Sequence, residues 1–456
     1  MGRRACSDEI RALSRELGQA ELGDSRRSRR LESIVERAAA RPDASFPEMA
    51  ADESELEALY RFMSNEHVTP EAILAPHMAM TKARSERSAE VIVAHDTTNL
   101  SFEGEREGLG RLHAKDRGFW AHVALAMSPT REVFGVVGLR YGTRHGPTKW
   151  VGARRIKEAK EPSEALRWPQ LVREVGERFG RGRVIHVMDR EADWFELYQH
   201  FVGNGERFVV RMTHDRKVEP NLRVSDVLAG ASVIAERDVR LSERAEGNGA
   251  KDRARHPARK SRIARLAISA AVADVVSSMT VGMLRLNFVH VVELDAPDGC
   301  APVQWTLTTT EPIATADDVL RIVDAYRARW VIEELFKALK TGCSFERRQL
   351  GSYRALLNAL AMSLPIASLL LRMRSVGRER PDAPATDVID ADLLAILCVL
   401  ARRPVPSPPT ARDVMYAIAG LGGHLPRNGD PGWMTLGRGM EHLLGAHRVL
   451  TLARTM

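Results

Sequence analysis

The stretch 319-VLRIVDAYRARWVIEELFKALK-340 decides how the chain is read. It holds no glycine or proline and is rich in Ala, Leu, Arg, Glu and Lys, so it predicts one long helix from Val319 to Lys340. At about 100° per residue, Tyr326, Arg329, Glu333, Lys337 and Lys340 share one face. Val331, Ile332, Leu335 and Leu339 share the opposite face, which should pack on a core. A carboxylate thus stands among cations, with a phenol one or two turns up. Alone, this pattern is an ordinary solvated face with i,i+4 pairs. Its other use is to hold a metal ion beside a phosphate, and the remainder of the chain decides between the two.

A chain of 456 residues provides for roughly two to four domains with real cores. The net charge of +7 suits polyanionic partners. Cys6, Cys300, Cys343 and Cys398 lie far apart without CxxC spacing, which signals neither a zinc site nor a disulfide framework and fits a reducing cytoplasm. Arg3-Arg4 is not followed by an apolar run, so no export signal is expected. No stretch of about 18 apolar residues is evident, so no membrane span is expected. Leu356 to Leu371, interrupted by Asn358 and Pro365, reads as a core helix.

Residues 1–75 read as short helices, Ser7–Leu17, one from Asp24 or Ser25 to Ala40, and Glu53–Met63. The arginines Arg26, Arg27 and Arg30 at a helix start, with Arg61 on the third helix, suggest a small DNA-binding head. From about residue 88 the pattern turns to strands: Val91–Ala94 ending in His95-Asp96, Trp120–Met127, Glu132–Tyr141, Val184–Met188 ending in Asp189, and Arg207–Met212. Helices alternate with the later strands, so residues 76–374 are expected to form a mixed α/β sheet. Residues 215–300 break the alternation and read as an inserted β subdomain around a cationic loop, residues 243–265, for which contact with the DNA backbone is expected. Gln304–Thr309 resumes the sheet. Proline-rich linkers at 378–386 and 404–410 then lead into C-terminal helices, residues 375–456.

Asp96 and Asp189 come from strand ends and Glu333 from a helix face. Strand ends are where α/β sheets build sites. Converging carboxylates repel unless a cation neutralises them, and hard oxygen ligands select Mg²⁺, with Mn²⁺ as a substitute, over zinc. Two such ions about 4 Å apart activate a nucleophilic oxygen and stabilise the leaving oxygen of a phosphodiester. Arg329, Lys337 and Lys340 would clamp phosphates.

At this point the sequence resembles a known family. Tyr326-x2-Arg329-x3-Glu333-x6-Lys340 is similar to the YREK signature of bacterial cut-and-paste DDE transposases. The segments 95-HDTTNLS-101 and 189-DREAD-193 resemble the same family, and the closest resemblance is to the Tn-five type of insertion-sequence transposase. It extends from Leu22-Gly23-Asp24 and Tyr60-Arg61-Phe62, through 207-RFVVR-211 and Trp305…Thr310-Glu311-Pro312, to 417-AIA-419 and 421-LGG-423. The resemblance implies an RNase H-like mixed-sheet core with a β insertion, an N-terminal helical domain that reads transposon ends, and a C-terminal helical domain that dimerises. It implies nicking at the transposon end, hairpin formation, hairpin opening and strand transfer into target DNA. Trp305 matches the family's stacking tryptophan, Tyr326, Arg329 and Lys340 match residues that hold the neighbouring phosphate, and Arg211 matches a basic residue near the site. Trp330 would project toward the same side and wedge or stack. Two other readings use the same core: a metal-dependent nuclease without strand transfer, and a non-catalytic regulator that occupies transposon ends.

Overall fold

The computed structural model describes residues 7–112, 116–144, 164–180, 182–241, 258–277, 282–389, 391–425 and 430–455. Five helices come first: α1 (Ser7–Leu17), α2 (Ser25–Ala40), α3 (Phe46–Met49), α4 (Glu53–Ser64) and α5 (Pro70–Ser85). Next come β1 (Val91–Phe102), β2 (Gly110–Arg111), β3 (Arg117–Met127), β4 (Val133–Gly142), α6 (Arg167–Phe179), β5 (Val184–Met188), α7 (Phe195–Asn204) and β6 (Arg207–Arg211). The insertion contains β7 (Lys217–Val218), β8 (Leu222–Arg223), α8 (Val224–Ala229), β9 (Val233–Leu241), β10 (Arg262–Val276) and β11 (Met283–Glu293). The chain closes with β12 (Gln304–Thr309), α9 (Ala316–Ala328), α10 (Trp330–Lys337), α11 (Tyr353–Glu379), α12 (Ala391–Leu400), α13 (Ala411–Leu421) and α14 (Trp433–Thr455). The result is a mixed α/β protein with a mixed sheet and flanking helices.

By contact the chain divides into two compact units. The first holds Met1–Ala89, Asp96–Arg167 and Val331–Met456; the second holds Glu90–His95 and Trp168–Trp330. The first unit is organised on α11, whose contacts include α1, α2, α4, α5, β4 and α13. Asn358, buried within α11, donates both amide hydrogens, to the carbonyls of Met63 and Val68 at 2.9 Å each. That pairing lets a polar side chain sit in an apolar core. Beside it, Phe102 stacks on Phe119, which meets Tyr353 edge-on. A second polar hub joins α1, α5 and β4: the Glu16 carboxylate meets the His77 ring at 2.5 Å and takes a 2.7 Å bond from Arg84. In the second unit, β5 pairs parallel with β1 and β6, and the path continues antiparallel through β12, β11 and β10. Its core is aromatic, with Phe208 stacked against Phe201 at 4.5 Å and against Tyr198 at 5.3 Å.

Several expectations need correction. The stretch from Val319 to Lys340 is two helices and a turn. The Arg329 N–H bonds to the Tyr326 carbonyl at 3.1 Å, a tightened closing turn for α9. A π turn at Ala338–Gly342 follows α10, closed by the Cys343 N–H on the Ala338 carbonyl at 2.8 Å. A π turn takes in one more residue than an α turn, so Lys340 leaves the face that an ideal helix assigns to it. Asp96 does not end a strand, because β1 continues to Phe102 beside β3 after its last pairing with β5, Ala94↔Val187. The cationic segment is mostly not a loop where it is described. Arg262 and Arg265 belong to the long strand β10 and are paired with Glu293 and Glu236. Residues 242–257 lie outside the described residues. Val218–Val239 is broken by α8 rather than continuously β-like. Finally, Tyr353–Gly377 is long and apolar enough to cross a membrane by length and composition, and 83% of that window is buried inside the protein.

Candidate active site and nucleic-acid interface

In the second unit the ends of neighbouring strands gather chemistry-bearing residues. β5 and β6 run parallel with Met188 opposite Val210, so Asp189 and Arg211 follow at adjacent strand ends. Asp189 caps the short turn Arg190–Ala192, its Oδ1 accepting the Glu191 N–H at 2.9 Å. Asp193 is a structural anchor. It is buried, accepts the Tyr198 hydroxyl at 2.7 Å and the His214 N–H at 2.9 Å, and pairs with Arg216. It thereby ties the loop after β6 to the Asp189 turn. Leu307 of β12 is paired with Arg211, and Trp305 stands two residues along β12 from Leu307, opposite Val291 of β11. Arg211 makes only a long 3.5 Å contact to the Gln304 carbonyl. The Trp305 ring is half-buried, and its indole N–H is shielded from solvent without a hydrogen-bond partner. Tyr326 is half-buried on α9; Arg329 is 9% exposed, and Trp330 is 56% exposed.

Behind these strand ends lies a buried chain that sequence reasoning missed. His95 Nε2 meets His186 Nδ1 at 2.9 Å, and His186 Nε2 lies 3.6 Å from Glu206. Gly176 makes room for Glu206: a Cβ there would stand 2.3 Å from Glu206 Oε1. Burial lowers the pKa of His186 despite its carboxylate neighbour.

In the first unit, the half-buried Asp96 accepts the Thr97 N–H at 2.7 Å. The Thr97 hydroxyl is fixed in turn by His122 Nδ1 at 2.9 Å and Arg167 Nε at 3.0 Å. Burial, then the charge of Arg167, pushes His122 well below its ordinary pKa. Glu333 is half-buried in the first turn of α10, where the helix dipole favours a carboxylate. Its neighbour Glu334 is densely held. Lys337 Nζ donates to Oε1 at 2.8 Å, and Arg374 and the Trp433 indole N–H, the latter at 3.3 Å, donate to Oε2. Burial raises the Glu334 pKa, and the Lys337 bond with the charge of Arg374 outweighs it, leaving the carboxyl below its ordinary value. Lys340 donates to the Asn99 carbonyl at 2.7 Å, tying the π turn to β1. Lys337 and Lys340, expected as phosphate clamps, therefore both have partners within the protein.

Among the N-terminal arginines, Arg26 and Arg30 line a groove of about 430 Å³ together with Arg29 and Arg37, which the sequence reading did not single out. Asp24 caps α2 through the Arg26 N–H at 2.8 Å and also binds the Arg26 guanidinium. Arg27 donates to the Leu22 carbonyl at 2.8 Å and so helps hold the turn before α2. Arg61 is exposed, outside the groove lining, and paired with Glu57 at 2.7 Å.

The sequence-derived carboxylates offer only oxygen donors, which suit a hard divalent cation and not zinc. Among the described residues, no three His, Cys, Asp or Glu side chains are gathered closely enough to form a metal cage. The fit therefore rests on donor chemistry. No spacing pattern announces Thr97, Arg167, Glu334, Arg374 or Trp433, because their contacts join distant segments.

A carboxylate within β1, another after β5, a third in a helix's first turn, arginines and a half-buried indole are equipment suited to phosphodiester chemistry. Residues 10–68 match a family model described as Transposase DNA-binding, and residues 87–369 match the Transposase DDE domain. The chain belongs to the DDE transposase family. It is thus an enzyme of the nuclease and transposase class with a DNA-binding domain. Among solved structures it is similar to the piggyBac transposase in a synaptic complex with hairpin DNA, at 10% identity, covering 82% of this chain and 76% of that one. The TM-score is 0.37, a likeness too slight to support a fold assignment.

Proposed function

We propose that this transposase works by cut-and-paste. It binds the terminal inverted repeats of its element, nicks them, closes and reopens a hairpin, and joins the freed ends to target DNA. The DDE-domain match over 87–369 carries this reading, because it brackets Asp96, Asp189 and Glu333. In it, residues 76–374 are an RNase H-like core with a β insertion at 215–300, residues 1–75 bind end DNA, and residues 375–456 pair two copies as a homodimer.

Asp96, Asp189 and Glu333 would hold Mg²⁺, or Mn²⁺ in its place. Such an ion lowers the pKa of an attacking oxygen and offsets charge on the leaving oxygen. The remaining residues position DNA. Trp305 presents a ring on which an unstacked base rests, and its indole N–H is left to donate to that base or its sugar-phosphate. Arg211 and Tyr326 hold the adjoining phosphates, with Arg329, Lys337 and Lys340 supplying positive potential on the Glu333 helix and Trp330 an exposed ring for stacking. Arg26, Arg30 and their neighbours grip the duplex backbone, with Arg27 and Arg61 as further contacts. The test is a linear duplex carrying the element's own terminus, incubated with the full chain and Mg²⁺. Hairpin and strand-transfer products support the proposal. Nicks alone leave a nuclease, and a shifted band without cleavage leaves a regulator.

A further inference from the structure

We propose that Glu334 is a positioning residue that locks the helix carrying Glu333 onto the C-terminal helical segment. Resting on the reading of Glu333 as catalytic, this assigns Arg374 and Trp433 a part in the reaction through their contacts with Glu334.

Glu333 and Glu334 are consecutive on α10, so whatever fixes the backbone at Glu334 fixes the origin of the Glu333 side chain. Both oxygens of Glu334 are occupied. One takes the Lys337 ammonium from the same helix, and the other takes Arg374 of α11 and the Trp433 indole N–H of α14. The guanidinium of Arg374 also lies over the Trp433 ring, 4.5 Å from its centre. The side chains of Glu334 and Arg374 are 17% and 11% exposed, and Trp433 is 7% exposed. Ion pairs screened this far from water have much of their strength restored, and a carboxylate so held does not swing freely. The lock is bidirectional in origin: one arm comes from the long core helix and the other from the first residue of the last helix. The seat of α14 is therefore read directly by the residue beside Glu333. Around the contact, Leu370, Met373, Met415, Ile418 and Met440 join Trp433 in lining an apolar pocket of about 30 Å³.

The experiment compares full-length wild type with Glu334→Gln, Trp433→Phe and Glu333→Gln. Trp433→Phe removes only the N–H and keeps a ring under Arg374. The measurements are end binding, melting temperature, cleavage as a function of Mg²⁺, and Mn²⁺ bound to the protein–DNA complex, read from the electron paramagnetic resonance of free Mn²⁺. Partners that orient a metal ligand typically change metal affinity or activity by about 10- to 100-fold. Glu334→Gln is expected to raise the half-saturating Mg²⁺ and weaken Mn²⁺ binding by about 10-fold. Trp433→Phe is expected to do so by roughly 5-fold, the effect of one hydrogen bond. End binding should stay at the wild-type level. Unchanged half-saturation and Mn²⁺ binding in both variants overturn the lock, whether or not the melting temperature falls, since a purely structural contact moves only the latter. Glu333→Gln separates the two levels. If it cleaves normally, the reading of the site fails; if it is inactive while the other two behave as wild type, only the lock fails.

Discussion

Replacing Trp305 separates the proposed DNA steps from one another. Its ring is half-buried in β12, and its N–H is shielded without a partner. An unmade buried hydrogen bond costs about 1–3 kcal/mol. Trp305→Phe removes that donor and part of the ring, so folding stability should change by no more than about 1 kcal/mol, in either direction. Trp305→Ala removes a ring whose full burial is worth about 3–5 kcal/mol, and at half burial the loss should be about 2 kcal/mol. Stacking of one base on an aromatic ring is worth about 1–3 kcal/mol, which is roughly 5- to 150-fold in the step that needs it. On an end duplex, Trp305→Ala should nick at nearly the wild-type rate and form hairpin 5- to 150-fold more slowly by that estimate. Trp305→Phe should retain most of the hairpin rate. A time course resolving nicked strand from hairpin, beside urea melts of each variant, gives both quantities. Equal slowing of both steps, or a Trp305→Phe variant several kcal/mol less stable, would make Trp305 a scaffold residue and refute the stacking role.

Asp96→Asn, Asp189→Asn and Glu333→Gln should each abolish cleavage and leave end binding intact in a gel-shift assay; a variant with a normal rate in Mg²⁺ is not part of the site. Arg30→Ala should lower the salt slope of end binding by about 1, the effect of one lost phosphate contact, whereas Arg27→Ala should in addition lower the melting temperature because its guanidinium also holds the Leu22 carbonyl. Burial lowers the pKa of both His77 and His186, so below the unfolded value of about 6.5 the unfolded chain binds the extra protons. Stability should therefore fall as pH drops through about 6.5, by up to about 1.4 kcal/mol per pH unit for each histidine; flat urea midpoints between pH 7.5 and 5.5 would contradict this.

Regular elements were legible where a single period governed them. The apolar run Val184–Met188 and the threonine-rich run Gln304–Thr309 coincide with β5 and β12, and Ser7–Leu17 coincides with α1. Boundaries set by tertiary pairing were not legible. Nothing local in 91-VIVAHDTTNLSF-102 says that the strand continues past its aspartate, because β3 supplies the later pairing. β10 was hidden because Arg262 and Arg265 look like loop cations until Glu293 and Glu236 appear opposite them. The same blindness applies to the site. The carboxylates were proposed from type and spacing, whereas Glu334, Arg374 and Trp433 acquire meaning only from a fold that brings residues about 40 and 100 positions apart into one hydrogen-bond set.

The proposed metal ligands share a local property. Each stands near a change of strand pairing or of backbone course. Asp96 follows the end of the β1–β5 pairing, Asp189 opens a tight turn after β5, and Glu333 lies in the first turn of α10, just after Arg329 closes α9. Asp96 accepts the Thr97 N–H and Asp189 the Glu191 N–H, both from nearby backbone. Asp193 and Glu334 are the contrast. They are carboxylates close in sequence to Asp189 and Glu333, and their oxygens are taken up by arginine, tyrosine, tryptophan or lysine donors. In each pair one acid is built into the frame, and its neighbour is the one proposed to serve the reaction. Exchanging their roles should therefore be asymmetric: Asp193→Asn should unsettle the loop after β6 and lower the melting temperature, while Asp189→Asn should leave the fold in place and remove cleavage.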